Sequence, residues 1–369
     1  MKFTCLKENL LGALTFVERG IAKSSHLPAL ANLFLEVADG KLKLATTDLE
    51  IGMVSWCAGK AEADGTITLP VKVFSGLINA LDAEKLTLQA LNDTCRVESG
   101  VFSASIKGFP ADEFPIIPQI ENEVALVVEA AGFLAGLGHV AGSVAYEGTR
   151  PELTGVLLSV EAGKISLVAT DSFRLALASI VNVKTDGIAK SFFQDHTLIL
   201  PGKTVRELTR IINPGEPDLV IAIGENQIQF SQTPWRLVSR LLEGAYPRYE
   251  DIIPASALGH RVFLRQKFIG ALKRAQLFAG RVERVECEFT EARCRLKSED
   301  PAVGSVNEEV PTEGEGRSER FAFNIRYLMD GVTLFGGERV FCEYNESQAP
   351  VVFHSGERDR ALYIVMPMK

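Results

Sequence analysis

The chain contains two long copies of one segment. Residues 37–48 read VADGKLKLATTD and residues 160–171 read VEAGKISLVATD, with the same turn, the same apolar alternation and the same final Thr-Asp. Further matched pairs follow the two copies in the same order: Leu69-Pro70 and Leu200-Pro201, Lys72 and Lys203, Phe114-Pro115 and Tyr246-Pro247. Repeat units of solenoids and propellers run about 20 to 50 residues, so a unit this long indicates a whole domain.

A third, weaker copy fills the rest of the chain. The segment from Leu258 to Lys369 keeps the order of a helical stretch, a strand-rich middle and a second helical stretch that begins near Phe323. We therefore predict three domains of one kind, residues 1–121, 122–254 and 255–369. The length of 369 residues agrees, because about 100 to 200 residues per domain suggests two to three domains.

Each copy combines helical and strand patterns. In the first copy, apolar residues recur at helical spacing over 6–17 and 74–81. They alternate with period two over 33–37, 41–45 and 101–106, and turn-prone residues separate these runs. Helices interrupted by hairpin-linked strands indicate the α+β class, with helices on one face of antiparallel sheets.

Composition predicts a globular chain that stays in water. Apolar residues make up 46% of the chain and charged residues 23%, and no uninterrupted apolar run reaches the about 18 residues of a membrane span. The start, MKFTCLKEN, lacks a secretory signal, which predicts a cytoplasmic location without a membrane association. The cysteines form no Cys-x-x-Cys pair, so reduced structural thiols are favoured over disulfides or zinc ligands: Cys5, Cys57, Cys95, Cys287, Cys294 and Cys342.

Motifs of catalysis and of metal binding are lacking in the sequence. It has no Walker loop, no His-Glu-x-x-His and no Gly-x-Ser-x-Gly, and its five histidines are isolated from metal-ligand partners. Asp48 and Asp171 are the best catalytic candidates, yet each closes a strand in a Thr-Asp turn, where a carboxylate ordinarily caps backbone N–H groups. We predict no catalytic residue, no metal and no cofactor.

Three further segments carry a resemblance to a known family. ATDSFRLA at 169–176, GAYPRYEDIIP at 244–254 and the terminal VMPMK at 365–369 resemble signatures of the beta subunit of bacterial DNA polymerase III, the sliding clamp family. The resemblance covers the whole chain, including MKFT at its start and LPALANLFL at 27–35. Several motifs in order on a threefold repeat are far more specific than any one of them.

The resemblance implies a processivity factor rather than an enzyme. Such clamps are head-to-tail homodimeric rings of six similar domains, with helices around a central hole and sheets outside. They encircle double-stranded DNA without reading its sequence and tether the replicative polymerase. A net charge of −8 suits a ring whose outside is acidic and whose inner helices are basic. The implied partners are DNA, a second copy, the polymerase III alpha subunit, the clamp loader delta subunit, and other polymerases and repair proteins that dock through short linear peptides.

Basic residues on the predicted helices are candidates for the DNA-facing surface. A single Lys or Arg on a helix is ordinarily just part of its solvated face. Lys72 and Lys203 stand out because they occupy the same place in two copies and match basic positions of the family. The predicted DNA-binding residues are Lys23, Lys72, Arg150, Lys203, Arg206 and Arg210, with Lys267, Lys273 and Arg274 as further candidates.

The family also implies a hydrophobic pocket for partner peptides between the second and third domains. The matching residues come from the Thr-Asp turn, the interdomain linker and the tail: Thr170, Ser172, Phe173, Arg174, Leu175, Pro247, Ile252, Ile364, Met366, Pro367 and Met368. Two methionines beside a proline form a polarizable, adaptable surface that suits several partners, although a terminal strand could instead complete the core. Ser172-Phe173 replaces a common Gly-His, and Asp251 replaces a basic residue, so peptide preference could differ.

Edge strands are expected to form the dimer interface. The family places a first-domain edge strand against a third-domain edge strand of the partner, here near 293–298, and the acidic stretch 299–316 could supply that strand instead. Pairing of this kind removes exposed edges that would otherwise aggregate. The predicted interface residues are Phe102, Ser103, Ser105, Ile106, Lys107, Leu272, Leu277 and Phe278. The three apolar helix residues among them could also serve only their own core.

Two alternatives remain open on sequence grounds. An enzyme with an active site between repeats would turn over a substrate and lose activity on replacement of Asp48 or Asp171. A clamp-like paralogue would bind DNA or inhibitors without supporting replication, and only partner affinity or complementation would distinguish it.

Overall fold

The structure is a computed structural model. It describes residues 1–22, 27–120, 124–146, 150–161, 163–181, 183–185 and 197–368. The chain forms two compact units. The first contains the described residues of Met1–Ala130, Lys184–Phe192 and Arg210–Leu241, and the second those of Ala131–Val183, Phe193–Thr209 and Leu242–Lys369.

Two antiparallel sheets build the first unit. The smaller sheet has five strands, in the spatial order β5 (Gly59–Ala63), β1 (Lys2–Leu6), β7 (Lys85–Leu91), β8 (Thr94–Ser99) and β9 (Phe102–Lys107). The larger sheet has nine strands, in the order β14 (Lys184–Thr185), β10 (Val124–Glu129), β16 (Asp218–Ile223), β17 (Gln227–Gln232), β18 (Trp235–Arg240), β4 (Ile51–Cys57), β3 (Lys41–Thr47), β2 (Asn32–Ala38) and β6 (Gly65–Pro70).

One antiparallel sheet of twelve strands dominates the second unit. Its spatial order is β15 (Leu198–Pro201), β11 (Gly155–Glu161), β12 (Lys164–Thr170), β13 (Arg174–Ile180), β26 (Ala361–Val365), β25 (Val351–His354), β24 (Arg339–Tyr344), β19 (Gly259–Leu264), β22 (Gly304–Glu313), β21 (Arg293–Asp300), β20 (Arg284–Phe289) and β23 (Glu319–Asn324).

The repeat of the sequence reappears as a repeat of strand-to-helix steps. Among the described residues six α-helices each follow a strand directly: α1 (Lys7–Val17), α2 (Val71–Ala80), α3 (Ala130–Val140), α4 (Gly202–Ile211), α5 (Arg265–Gln276) and α6 (Ile325–Leu334). The steps β6 to α2 and β15 to α4 contain the matched Leu-Pro pairs, and Leu69 and Leu200 occupy equivalent registers opposite Leu33 and Val156. The predicted α+β fold of three repeated domains is therefore confirmed.

The second repeat supplies strands to both units. Its strands β10, β14, β16, β17 and β18 belong to the nine-stranded sheet, whereas β11, β12, β13 and β15 belong to the twelve-stranded sheet. Strand β18 pairs with β4 of the first repeat, and β13 pairs with β26 of the third. Sheets that continue across repeats explain why three repeats form two compact units.

The amphipathic stripes predicted in the first repeat are mostly buried, except that Leu6 ends β1 and is 44% exposed. Helix α1 packs on α2 and on strands β3 and β4. Leu10, Leu14 and Val17 of α1 and Phe74 and Ile78 of α2 are all at most 1% exposed. They join one apolar core with residues from strands of both sheets, and a buried side chain of this size stabilises the fold by about 1.5 to 3 kcal/mol.

The third repeat builds its core around aromatic rings and one arginine. Phe263 stacks on Phe268 at 4.1 Å between ring centroids, and Phe289 contacts Tyr344 at 5.1 Å. Arg261 is fully buried, and its guanidinium donates hydrogen bonds to four carbonyl oxygens, of Thr290, His260, Glu315 and Gly316. Those carbonyls replace water around the buried charge, so Arg261 has a structural role.

The expected edge strand near 293–298 is not at an edge. Strand β21 lies between β20 and β22, paired on both sides. The acidic stretch forms the adjoining hairpin, and β22 pairs with β19 only through Thr312 and Glu313. Among described residues, the remainder of β22 from Gly304 therefore pairs on one side only, which corrects the expected edge from β21 to β22.

Replacement of two helical glycines by alanine should change the free energy of unfolding in opposite directions. A Cβ at Gly331 in α6 would overlap the Tyr363 ring, whereas a Cβ at the exposed Gly12 in α1 meets no atom within 4 Å. We expect Gly331→Ala to lower the free energy of unfolding by about 1 to 3 kcal/mol through overpacking. Gly12→Ala should raise it by about 0.5 to 1 kcal/mol. Urea unfolding of both variants measures the difference, and equal effects would contradict the packing of Tyr363 on α6.

All six cysteines are free and buried. No helix within the described ranges is long and apolar enough to cross a membrane.

Candidate functional site

A cavity of about 520 Å³ lies in the second unit, at the N-terminal end of β13 and beside the C-terminal tail. The turn between β12 and β13, the 3₁₀ segment Tyr249–Ile252, the loop between β24 and β25, and β26 with the following residue surround it. Its lining residues are Thr170, Ser172, Arg174, Leu175, Asp251, Ile252, Pro254, Asn345, Ala349, Pro350, Ile364 and Met366.

The Thr-Asp turn is held by its own side chains. Thr170 Oγ1 donates to the Arg174 carbonyl at 2.7 Å and accepts from the Ser172 amide at 3.1 Å. Asp171 Oδ1 accepts from the amides of Phe173 and Arg174, both at 3.0 Å. Ser172 has a φ of 76°, a left-handed conformation that favours glycine and costs a serine about 1 to 2 kcal/mol.

Besides Asp251, the cavity has one charged lining residue, Arg174. Its Nε lies 2.8 Å from Asp171 Oδ2 and its Nη1 2.6 Å from Asp330 Oδ2. Its guanidinium also lies 4.4 Å from the centroid of the Tyr327 ring. Burial alone would lower the pKa of Arg174, but Tyr363 and Asp171 outweigh it and raise that pKa above its ordinary value. The guanidinium is therefore positively charged, and these contacts hold it in one orientation.

The tail is anchored on both sides of the cavity. In β26, Ile364 pairs with Leu175 of β13. The Met366 amide then donates to the Phe173 carbonyl at 2.9 Å, and the Met368 amide donates to the Ala322 carbonyl at 2.7 Å. Met366, Pro367 and Met368 are all half-buried. The tail thus follows the interior strand β26 and is held by backbone hydrogen bonds, while apolar side-chain surface stays accessible.

Beneath the cavity lies an apolar cluster that includes Leu175, Leu177, Val352, Leu362 and Ile364, each at most 9% exposed. Linker residues cover this cluster, among them Tyr246 and Tyr249. Burial raises the pKa of Tyr246 and raises that of Tyr249 to about 12, so both phenols are neutral at pH 7. The Tyr246 hydroxyl donates to the Val168 carbonyl at 3.4 Å.

Seven of the predicted pocket residues line this cavity: Thr170, Ser172, Arg174, Leu175, Ile252, Ile364 and Met366. Phe173, Pro247, Pro367 and Met368 do not line it. Phe173 is 61% exposed, and its ring stacks on Tyr327 at 6.5 Å. Sequence reasoning missed Pro254, Asn345, Ala349 and Pro350, and no sequence signal in the β24–β25 loop points to a pocket.

The two candidate catalytic carboxylates both cap turns. Asp48 Oδ1 accepts from the amides of Glu50 and Ile51 at 3.1 and 2.8 Å, and Asp171 repeats this pattern one domain later. Leu49, with a φ of 77°, is the counterpart of Ser172. These contacts match the capping interpretation. No cluster of three His, Cys, Asp or Glu side chains that could hold a metal occurs within the described residues.

The predicted DNA-binding residues within the described ranges lie in helices or just before a helical turn. Lys72 is the second residue of α2 and is exposed, and Lys203 is the second residue of α4 and is half-buried. Arg206, Arg210 and Arg150 are exposed, and Lys23 lies outside the described residues. Arg274 is less available, because its Nε donates to Glu308 Oε2 of β22 at 2.9 Å.

The predicted interface residues divide into exposed and buried ones. Strand β9 is the edge strand of the five-stranded sheet, with Ser103, Ser105 and Lys107 exposed and Phe102 36% exposed. Ile106 is 7% exposed and belongs to the core of its own domain. On α5, Leu272 is fully buried, whereas Leu277 at the helix end is 71% exposed and Phe278 is half-buried.

The chain matches three family models in sequence. Models for the N-terminal, central and C-terminal domains of the DNA polymerase III beta subunit match residues 1–118, 128–248 and 250–369. Together they span nearly the whole chain in the order of its repeats.

Relatives of similar length share the whole chain. It is 29% identical over 377 residues to the beta sliding clamp of Synechococcus elongatus, covering 100% of this chain and 99% of the relative. It is 29% identical over 376 residues to the beta sliding clamp of Escherichia coli K12, covering 100% of both. The crystal structure of the DNA polymerase III subunit beta from Pseudomonas aeruginosa matches with a TM-score of 0.93 at 26% identity, covering 100% of both chains.

Proposed function

This chain belongs to the DNA polymerase III beta subunit family and is a DNA sliding clamp of replication without catalytic activity, and from that premise we propose that two copies close head to tail into a ring around duplex DNA. The proposed domains are residues 1–121, 122–254 and 255–369. Residues 119–127 and 249 fall outside the matched family segments, close to both proposed boundaries.

The 520 Å³ cavity is the proposed docking site for partner peptides. The observation that carries this proposal is the meeting of three distant segments: the Thr170–Leu175 turn, Ile252 of the linker and Ile364–Met366 of the tail. Apolar walls beside one fixed guanidinium suit an extended peptide with apolar anchors and an acceptor group. Its proposed partners are the polymerase III alpha subunit, the clamp loader delta subunit, and other polymerases and repair proteins.

Open strand edges support the proposed dimer. Strand β9 offers one edge and the Gly304–Glu309 part of β22 offers another. Leu277 is exposed at the end of α5, one helical turn after Arg274. Arg274 in turn donates a hydrogen bond to the side chain of Glu308 in β22. An open edge beside an exposed leucine is a surface that a partner strand would cover.

Retention on circular DNA tests the ring. We expect the protein, once loaded onto nicked circular DNA by a bacterial clamp loader, to stay bound and to be released when one restriction cut makes the DNA linear. A ring slides off a free end, whereas a protein held by phosphate contacts does not. Equal retention on circular and linear DNA, measured by gel filtration, would overturn topological binding.

Charge reversal of Lys72 and Lys203 should weaken DNA affinity without affecting the fold. Both are the second residues of equivalent helices. If each neutralises one phosphate, the double variant Lys72→Glu, Lys203→Glu should flatten the slope of log affinity against log salt by about 2. Fluorescence anisotropy with a labelled duplex over a salt series measures the slope.

The matched control for this prediction is a double variant at exposed lysines of strands. Lys85 in β7 and Lys297 in β21 are both exposed, and their reversal changes the net charge by the same amount. An equal loss of slope in both double variants would mean that net charge alone, rather than these helix positions, governs DNA attraction.

A further inference from the structure

A second cavity, of about 870 Å³, lies in the first unit on one face of the nine-stranded sheet. Arg236 of β18 pairs with Ser231 of β17 and with Val54 of β4, so these side chains share that face. Trp56, two residues after Val54, lies on it too. The chain has two tryptophans, and both Trp56 and Trp235 line this cavity.

Arg236 is buried there, and no carboxylate within the part of the chain that the structure describes pairs with it. It is 7% exposed, and its Nε has no hydrogen-bond acceptor among the described residues. Its guanidinium carbon lies 5.5 Å from the centroid of the Trp56 ring. Burial lowers the pKa of Arg236, with no acidic group acting against it. Arg261, the other buried arginine, differs because four carbonyl oxygens surround its guanidinium.

A buried, unpaired guanidinium is costly, and a ligand anion would offset that cost. The amide side chains in the cavity do not take this role, because they are engaged elsewhere. Gln232 Nε2 donates to the Asn213 carbonyl at 3.2 Å, and Gln229 Oε1 accepts from the Ile120 amide at 3.2 Å. Within the described residues, Nε of the buried Arg236 guanidinium is thus an unsatisfied donor of the cavity.

The rest of the lining restricts the ligand. Trp56, Pro217 and Pro234 offer flat apolar surface beside the guanidinium. Three exposed charged residues, Lys41, Glu216 and Asp218, also line the cavity, and the two carboxylates would repel a polyanion such as nucleic acid. A volume of about 870 Å³ lies within the roughly 300 to 1,000 Å³ of small-ligand sites. The favoured ligand therefore has one negative charge and one planar apolar group.

We propose that this cavity is a second recognition site of the clamp, which binds an aromatic group that carries a single carboxylate. The carboxylate accepts hydrogen bonds from Arg236, and the aromatic group packs on Trp56. Two sources share this chemistry: a free aromatic carboxylic acid, and the C-terminus of a polypeptide that ends in an aromatic residue. The site shares no lining residue with the 520 Å³ cavity, so it does not depend on the peptide-docking proposal.

Tryptophan fluorescence tests the proposal directly, because the Trp56 ring lies beside Arg236 in the site. The full chain is titrated with N-acetylphenylalanine, which contains no indole, and with the neutral N-acetylphenylalaninamide. We expect a saturable change with the acid, at a Kd on the order of 1 mM or tighter, and binding at least about tenfold weaker with the amide. A peptide Gly-Gly-Gly-Phe forms a second arm. Tighter binding of this peptide identifies a polypeptide C-terminus, and tighter binding of the acid identifies a small molecule.

Variants locate the binding. Arg236→Gln should weaken binding of the acid at least about tenfold. Arg240→Gln, at an exposed arginine of the same strand, should leave this binding unchanged. Ser231→Phe fills the cavity and keeps the charge, so it should also abolish binding and serves if Arg236→Gln fails to fold. The proposal is overturned if the acid shows no saturable binding, if the amide binds equally well, or if a folded Arg236→Gln or Ser231→Phe variant keeps the affinity of the unmodified chain.

Discussion

Removal of Met366 to Lys369 is expected to abolish binding of a partner peptide while leaving the chain folded and dimeric. The truncation removes Met366 from the cavity lining together with the half-buried Pro367 and Met368. Loss of that apolar surface should cost about 3 kcal/mol or more of binding free energy, which is at least a hundredfold in affinity. Among the described residues, the fold loses the two backbone hydrogen bonds of Met366 and Met368, at about 1 kcal/mol each, together with the packing of three half-buried side chains.

Fluorescence anisotropy of a labelled Gln-Leu-x-Leu-Phe peptide measures this affinity. The matched control removes Lys369 alone, which changes the terminal charge but keeps Met366 to Met368. We expect the control to bind as the full chain does. If the full chain bound no peptide, then Ser172, Phe173 and Asp251 would have changed the pocket. If the longer truncation still bound the peptide, the tail would have no part in the site.

Replacement of Leu277 by aspartate is expected to raise the dissociation constant (Kd) of the dimer about a hundredfold. Leu277 is 71% exposed at the end of α5, and α5 packs against β22, whose first half has an open edge. If a second copy covers this surface, Leu277→Asp buries an unpaired carboxylate at a cost of roughly 3 kcal/mol or more. Sedimentation velocity over a protein concentration series measures the change.

Leu91→Asp is the matched control, because Leu91 is 72% exposed on a strand of the first domain. It should leave the dimer unchanged. The peptide affinity of Leu277→Asp should also be unchanged, since Leu277 does not line the 520 Å³ cavity. Equal dissociation of both variants, or a dimer unaffected by Leu277→Asp, would remove the end of α5 from the interface.

Local patterns predicted the elements and the repeat. The helices that begin at Val71 and Gly202 follow matched Leu-Pro pairs, and the carboxylates of Asp48 and Asp171 cap matching turns as their Thr-Asp context predicted. These features depend on residues within a few positions of each other. Physical rules for helical spacing and for turn capping act at that range, so the sequence alone was sufficient.

One of the two predicted positions for the third-domain edge strand, 293–298, was wrong because strand order depends on distant parts of the chain, whereas the other, the acidic stretch 299–316, contains the open part of β22. A strand was correctly expected near 293–298, but a local segment does not say which strands flank it. Partners on both sides of β21 come from β20 and from the acidic hairpin strand β22. Pairing order follows from how whole strands share apolar faces, which a single strand does not encode.

The sequence by itself determined that this chain is three copies of one α+β domain. It also indicated that the Thr170–Leu175 turn and the Ile364–Met368 tail carry motifs of the predicted peptide pocket, because repeats and motifs are visible in the order of the residues. Only the tertiary structure decided that Asn345 and Pro350 join the cavity, that Leu272 is buried while Leu277 is exposed, and that Arg236 Nε is buried without an acceptor among the described residues. Those outcomes depend on strand registers that bring distant residues together and on the water that they exclude, and neither can be read from neighbours along the chain.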